Sequence, residues 1–156
     1  MKVIIAALLT LTLAGSAQAA PRSRIIRHHG PCSGRMAVIR HSDVASVYVP
    51  RVKRLIRCAF SRWSGDVSRA LCTAHRESSF FPWSHNPSGA SGIFQHLADS
   101  PDYWTGRANR YLRDAWFPRM RRSAWVPSPF NGRANIIVSA RMVATGGWGP
   151  WGSDCT

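Results

Sequence analysis

The amino-acid sequence predicts a mainly α fold of the α+β type: one helical domain with a short extended segment beside a turn. Apolar residues recur at helical spacing in three segments from Val52 onward. The stretch Trp83–Gln95 is rich in Pro, Asn, Ser and Gly, which is typical of turns. The chain also contains no internal repeat and no low-complexity tract, so a single domain is expected.

The first two predicted helices lie between Val52 and Phe81. Ser64-Gly65 separates them, Asp66 is placed to cap the second, and Phe81-Pro82 ends it. Each helix has one apolar face at amphipathic spacing. The face of the first contains Val52, Leu55, Ile56, Ala59, Phe60 and Trp63. The face of the second contains Val67, Ala70, Leu71, Ala74 and Ser78.

The second half of the chain predicts one short extended piece and two more helices. The extended piece is Ile93-Phe94, and the next helix covers Arg107–Trp116. Prolines interrupt the chain after that helix. The last helix opens at Asn131 or Gly132 and ends at Gly146-Gly147. Its apolar face contains Ile136, Ile137, Ala140, Val143 and Ala144.

Residues 1–19 have the pattern of a secretory signal peptide. Lys2 precedes an apolar run from Val3 to Leu13, and Ala17-Gln18-Ala19 matches a small-x-small cleavage site. A membrane anchor is the alternative, but the run is far shorter than the ~20 residues of a span. We therefore expect an exported mature chain of about 137 residues without a transmembrane segment.

Residues 20–50 form a basic arm ahead of the main domain, which we place at residues 51–156. His28-His29 in the arm could bind a metal ion, but no carboxylate or Cys completes a ligand set beside them. We expect neither a metal nor another cofactor.

The chain is strongly basic, with a net charge of +14. Loss of Lys2 leaves 20 basic against 7 acidic side chains, or +13. Such a field attracts polyanions, including acidic wall polymers, nucleic acid and anionic membranes. Arginine outnumbers lysine by 19 to 2, which is also what a biased nucleotide composition produces. Charge alone therefore does not identify a partner.

The four cysteines lie in the mature chain, which in an exported protein predicts two disulfides. Zinc binding is the alternative, but no two of them have the short spacing of a zinc site. Cys58 and Cys72 lie off the apolar faces of their helices, where bridges can hold the chain ends. We favour Cys32–Cys58 with Cys72–Cys155, and the other two pairings remain open.

Glu77 is the only glutamate in the chain. At 100° per residue it lies about 80° from the centre of its helix's apolar face, at the border between core and surface. A carboxyl covered there by Phe80, Phe81 or Trp83 is partly desolvated, which raises its pKa towards that of a general acid. The alternative is a surface Glu paired with one of the many arginines.

The surroundings of Glu77 resemble the lysozyme-like superfamily. Glu77-Ser78, followed by Ser88-Gly89-Ala90-Ser91-Gly92-Ile93-Phe94-Gln95, is similar to the signature of soluble lytic transglycosylases and exported actinobacterial peptidoglycan hydrolases. Asn135-Ile136 looks like the pair that opens a later helix in these families. The ending Gly146–Trp151 also resembles their tail. The resemblance covers about residues 52–155 and implies a lysozyme-like fold.

The resemblance implies cleavage of the β-1,4 bond between N-acetylmuramic acid and N-acetylglucosamine, with Glu77 as the catalytic acid and base. Ser78 then orients Glu77, and Gly92 lets the backbone approach the glycan. Ile93 and Gln95 also belong to the substrate-binding residues, and Gln95 forms a hydrogen bond in the cleft. Asn135 orders the site from the last helix, although its position off the apolar face also fits a solvated side chain. Sugar faces stack on aromatic rings, for which Trp83, Trp104 and Trp148 are candidates; core packing is the alternative for each.

A two-carboxylate mechanism needs a second acid, and Asp99 and Asp102 are the candidates that closely follow Glu77. Goose-type lysozymes have an Asp where this chain has His96-Leu97, and "ADSPD" reads as an ordinary turn. A single Glu can instead act as acid and then base while the muramic acid 6-hydroxyl attacks, which yields a 1,6-anhydro product.

We therefore expect a secreted, cell-wall-associated monomer that acts on peptidoglycan glycan strands as a lytic transglycosylase. It also binds acidic wall polymers non-specifically and has no specific nucleic-acid partner. The alternatives are a lysozyme-type hydrolase that gives reducing ends, a non-catalytic cationic wall-binding protein, and a nucleic-acid or heparin-type binder that works by charge.

Overall fold

The computed structural model describes Cys32, residues 39–97, residues 103–113, Phe117, Met120 and residues 123–156. The predicted signal peptide, most of the basic arm, and both Asp99 and Asp102 lie outside the described residues. None of the described helices is long and apolar enough to cross a membrane.

Four α-helices and a two-stranded sheet make up the regular structure of the described residues. Strands β1 and β2 are antiparallel and pair Ala90 with Leu97 and Ser91 with His96. The mainly helical fold with a short β segment is therefore confirmed. The elements in order are α1 (Ala45–Trp63), α2 (Val67–Ser78), β1 (Ala90–Ser91), β2 (His96–Leu97), α3 (Trp104–Leu112), α4 (Gly132–Gly146) and a final 3₁₀ turn (Gly149–Trp151).

Short polar side chains begin α2 and α4. Asp66 Oδ1 accepts a hydrogen bond from Arg69 N at 3.2 Å, as predicted for the cap of α2. Asn131 Oδ1 accepts from Ala134 N at 3.1 Å and caps α4. These bonds satisfy N–H groups that have no partner inside their own helix.

Two helices begin earlier than the sequence pattern predicts. Helix α1 starts at Ala45 instead of Val52 and includes Pro50. Proline has a helix-compatible φ but lacks the N–H of the helical ladder, so it normally marks a boundary. Here tertiary contact outweighs that cost, because the Tyr48 ring packs 5.6 Å from that of Phe81. Helix α3 likewise starts three residues before its predicted start, at Trp104.

The prediction of an extended piece at Ile93-Phe94 is wrong. These residues lie in the turn between β1 and β2, and the paired residues flank them. The reason is backbone conformation: Gly92 has φ of +82° and Gln95 has φ of +49°. Positive φ values on both sides reverse the chain instead of extending it.

Helix α4 is the central element of the core. Its residues from Ala134 to Ala140 are all buried, so it is covered on every side. It packs against α1 and α3, and α1 also packs against α2. The turn after β1 joins the same core, because the Phe94 ring stacks on that of Phe60 with 5.4 Å between centroids.

The disulfides join Cys32 to Cys58 and Cys72 to Cys155, which confirms the favoured pairing. The first bridge attaches the N-terminal segment to α1. The second attaches the C-terminal tail to α2, five residues before Glu77.

Candidate active site

Glu77 lies in the last turn of α2, at the border of core and surface as predicted. Its side chain is 24% exposed. The helix ends because Ser79 adopts a left-handed conformation with φ of +50°, and its N–H bonds to the carbonyl of His75 at 2.7 Å. This abrupt end lets the chain leave α2 directly beside Glu77.

Glu77 lines an open cavity of about 190 Å³, the Glu77 cavity. Both apolar and polar residues line it. The α3 helix, the turn after β1, strand β2 and the C-terminal tail each contribute. The other lining residues are Phe94, Gln95, His96, Leu97, Arg107, Pro150 and Trp151.

Ser78 connects α2 to the turn that forms one wall of this cavity. Its Oγ lies 2.9 Å from the carbonyl oxygen of Ile93 and 3.1 Å from that of Ala74. Ile93 itself is fully buried in the core. Ser78 therefore positions the turn relative to Glu77, and its role in orienting Glu77 stays a prediction.

Asn135 orders the same turn from α4. It is fully buried, so the alternative of a solvated side chain is wrong. Its Oδ1 accepts from Phe94 N at 2.9 Å, and its Nδ2 donates to the carbonyls of Pro129 at 2.9 Å and Ser91 at 3.3 Å. Because a buried amide without partners is costly, all three bonds matter: those to Phe94 and Ser91 fix the turn to the helix, and the one to Pro129 satisfies the remaining N–H of the amide.

Gly92 is required by this packing. A Cβ added to it would lie 2.3 Å from Asn135 Nδ2 and 2.4 Å from the Pro129 carbonyl oxygen, closer than any real contact. Its φ of +82° is also one that glycine tolerates best. The group that packs against Gly92 in the structure is the protein's own Asn135, and a close approach of the glycan to this backbone stays a prediction.

Gln95 borders the cavity and stabilises the turn through its amide nitrogen. Nε2 donates to the carbonyls of Gly92 at 2.8 Å and Ser84 at 3.2 Å. The side chain remains partly exposed beside Glu77. Gln95 therefore has a structural role in the turn. Its role in substrate binding stays a prediction.

An ion pair joins Glu77 to Arg76, the residue before it. Arg76 Nη2 lies 2.8 Å and Nε 3.3 Å from Glu77 Oε1. The same guanidinium lies 2.9 Å from Asp154 Oδ2 and donates to the Trp151 carbonyl at 2.6 Å. The hydrogen bond to Glu77 is the main reason that the pKa of Arg76 is raised. The salt-bridge alternative considered for Glu77 is thus present in the structure.

A chain of hydrogen bonds runs behind the cavity through His96. Arg107 Nη1 donates to His96 Nδ1 at 3.0 Å, so Nε2 carries the proton and donates to Ser139 Oγ at 2.8 Å. Burial, reinforced by the charge of Arg107, lowers the pKa of His96 to about 3. His96 is therefore neutral at physiological pH, and its two bonds fix its tautomer.

The three tryptophans proposed for sugar stacking lie outside the lining of the Glu77 cavity. Trp104 is buried and donates to the Pro127 carbonyl at 2.6 Å. Trp148 stacks on Phe60, and Trp83 packs against His41. These contacts are those of the core-packing alternative, and substrate contact by these rings stays a prediction.

Of the residues that line the cavity, the sequence predicted only Glu77 and Gln95 as site residues. Arg107 and Trp151 are the most important lining residues that it missed, and it also missed Arg76 beside Glu77. Trp151 lines the cavity, and its indole donates to the Phe94 carbonyl at 2.9 Å. Its place in the Gly146–Trp151 tail was a usable signal, because that tail already resembled the tail of the transglycosylases. Nothing distinguished Arg76 or Arg107 among 19 arginines.

In the part of the chain that the structure describes, no three His, Cys, Asp or Glu side chains are grouped to hold a metal ion. A scan of family models and searches of curated proteins and solved structures found nothing that matches this chain. The resemblance to lytic transglycosylases therefore remains a prediction.

Proposed function

We propose that the protein cleaves the β-1,4 bond between N-acetylmuramic acid and N-acetylglucosamine in peptidoglycan, with Glu77 as the single catalytic carboxylate. The observation that carries the proposal is the setting of Glu77. It borders a cavity with apolar and polar walls, and none of the other described lining residues is a carboxylate. A site with one carboxylic acid suits a mechanism in which that group first donates a proton and then accepts one.

Protonated Glu77 first donates its proton to the glycosidic oxygen, and the bond from that oxygen to C1 of the muramic acid breaks. Positive charge develops on the sugar ring. The 6-hydroxyl of the same sugar then forms the new bond to C1 while the Glu77 carboxylate accepts its proton. The products are a shortened strand and a 1,6-anhydromuramic acid end, and Glu77 is protonated again.

The neighbouring groups suit these two steps. Pro150 is exposed and offers apolar surface to the sugar face, while Phe94 and Trp151 are buried beneath the cavity wall. Arg76 pairs with the charged form of Glu77, which is the base of the second step. The first step needs the protonated carboxyl, so this contact has to weaken when the glycan binds.

The test is the variant Glu77→Gln, which keeps the size of the side chain and removes its proton transfer. We expect release of muropeptides from purified peptidoglycan to fall at least ~100-fold, with an unchanged circular dichroism spectrum. The matched control is Asp43→Asn, because Asp43 pairs with Arg51 at the start of α1. That variant should retain activity. Full activity in Glu77→Gln would refute the catalytic assignment.

Mass spectrometry of the released fragments distinguishes the two enzymatic outcomes. Anhydro ends indicate the intramolecular attack described above. Reducing ends indicate that water attacks C1 instead, as in a lysozyme-type hydrolase.

A non-catalytic wall-binding protein is the second candidate, and two observations favour it. Glu77 is already engaged by Arg76, and the Glu77 cavity of about 190 Å³ is smaller than the roughly 300 Å³ at which ligand sites usually begin. For such a protein, wild type would bind peptidoglycan without releasing fragments, and Glu77→Gln would bind equally well. Salt-sensitive DNA binding without glycan cleavage would instead indicate a charge-based binder.

A further inference from the structure

A second cavity adjoins the Glu77 cavity on the side of α3. It has a volume of about 330 Å³ and is lined by Gly106, Arg107, Arg110, Tyr111 and Met142; we call it the arginine cavity. Arg107 lines both cavities, so the two are neighbours that share this residue. A substrate bound at Glu77 can therefore place a substituent in the arginine cavity.

The arginine cavity carries two positive charges that lack an acidic partner among the described residues. The ion pairs in that part of the chain use Asp43, Glu77 and Asp154, and none involves Arg107 or Arg110. Both guanidinium groups lie over tyrosine rings at 5.5 Å, Arg107 over Tyr103 and Arg110 over Tyr111. A ring face weakly stabilises a cation but does not accept its N–H groups as hydrogen bonds. Those of the guanidinium can therefore still bind an anion.

The surroundings of Arg107 strengthen the case for an anionic ligand. Its Nη1 donates to neutral His96, which brings no negative charge. Burial lowers the pKa of Arg107, which means that its charge is poorly compensated by water. A half-buried cation in such a place gains free energy when a carboxylate or phosphate binds beside it.

We propose that the arginine cavity is a subsite for a carboxylate of the peptide stem borne by the muramic acid unit that is cleaved at Glu77. The inference rests on the proposed function. The adjoining position favours an anion attached to the reacting sugar itself. A 1,6-anhydro product requires a free 6-hydroxyl, so a phosphate polymer on that oxygen is excluded for the cleaved unit. The anion that remains possible is the peptide stem, which is attached to the sugar through the lactyl group.

The lining of the arginine cavity also suits the rest of a peptide, not only its carboxylate. Arg110 can bind the carboxylate through two parallel N–H groups. A hydrogen bond between the hydroxyls of Tyr111 and Thr145 at 3.0 Å holds the Tyr111 side chain, whose ring offers a face to the peptide. Met142 adds an apolar contact for an aliphatic side chain of the stem.

The experiment compares kcat/KM on two purified glycan substrates, one with peptide stems and one stripped of them by an amidase. Wild type should prefer the stem-bearing strands, and Arg110→Gln should lower that preference about tenfold, which is typical for loss of one charged hydrogen bond. Arg110 is chosen because Arg107 also supports His96. The matched control is Arg57→Gln, which removes an exposed charge from α1 and should keep the preference.

Each result either supports or overturns the subsite. Equal kcat/KM on both substrates in wild type, or an unchanged preference in Arg110→Gln, overturns it. Stronger inhibition of wild type by a soluble glycerol phosphate polymer than by free stem peptide also overturns it, in favour of a wall polymer. If wild type cleaves neither substrate, the proposed function fails. In that case, titration of free stem peptide into wild type and Arg110→Gln tests the subsite independently of catalysis. Equal binding to the two proteins overturns the proposed subsite.

Discussion

Arg76 and Glu77 are neighbours in sequence and partners in space, with Arg76 Nη2 2.8 Å from Glu77 Oε1. The same guanidinium contacts Asp154 and the Trp151 carbonyl on the C-terminal tail. The tail is itself attached to α2 by the Cys72–Cys155 disulfide. The only glutamate of the chain is therefore held in an electrostatic setting that the tail determines.

Replacing Arg76 with Gln should loosen the attachment of the C-terminal tail to α2. The substitution removes the ion pair with Asp154 and the hydrogen bond to the Trp151 carbonyl, besides the ion pair with Glu77. Loss of a hydrogen bond from a charged group is costly, so the free energy of unfolding should fall by about 2 kcal/mol. Urea denaturation measures this loss.

Asp154→Asn is the matched variant for this prediction. It removes one of these contacts and leaves those of Arg76 with Glu77 and with the Trp151 carbonyl. The loss of stability should be smaller, because the Asp154 side chain is 75% exposed and solvent screens its charge. Equal losses in the two variants would mean that the bond to the Trp151 carbonyl is unimportant.

Gly92→Ala should lower the free energy of unfolding by about 3–5 kcal/mol, since it combines a strained positive φ with a clash against Asn135 and Pro129. Gly65→Ala is its control. Gly65 has a similar φ of +79°, but a Cβ there meets nothing within 4 Å. It should cost only about 1 kcal/mol. Urea denaturation of both variants gives the comparison, and equal losses would mean that the contact with Asn135 is unimportant.

The fold could be predicted from the sequence wherever a pattern is local. Apolar periodicity located α1, α2 and α4, and the caps Asp66 and Asn131 are residues whose chemistry is visible in isolation. The start of α1 could not be predicted, because the packing of Tyr48 on Phe81 that supports its first turns is a long-range contact. The turn at Ile93-Phe94 was missed for a similar reason, since the approach of Asn135 fixes its backbone.

The candidate site was predictable in part. The helical angle of Glu77 placed it at the core border, and its side chain lies there. Which residues surround it depends on how the tail and α3 fold back, and no local pattern encodes that. Sequence reasoning therefore chose Trp148 by its motif, whereas Trp151, three residues later, lines the cavity.

Acid should destabilise the protein through His96. The pKa of His96 is lowered from 6.5 to about 3, so the unfolded chain binds a proton at higher pH than the folded chain. No stability is lost above about pH 6.5, where both states are neutral. Between 6.5 and about 3 the free energy of unfolding should fall progressively, by up to about 5 kcal/mol. Urea denaturation at pH 7, 5 and 4 measures this.

His96→Gln separates this effect from the loss of carboxylate ion pairs in acid. The amide can still accept from Arg107 and donate to Ser139, but it does not titrate. The variant should be less stable than wild type at pH 7 and should lose less stability between pH 7 and 4. An identical pH dependence in both proteins would contradict the role of His96.

The two disulfides should contribute unequally to stability and activity. Cys72–Cys155 spans 83 residues and Cys32–Cys58 spans 26, so loop-closure entropy predicts about 4.5 and 3.5 kcal/mol respectively. The double variant Cys72→Ser/Cys155→Ser should therefore unfold at lower urea than Cys32→Ser/Cys58→Ser. It should also lose more activity under conditions where both remain folded, because it releases the tail that carries Trp151 and Asp154 beside Arg76. The reverse order of activity would mean that the tail keeps its place without the bridge.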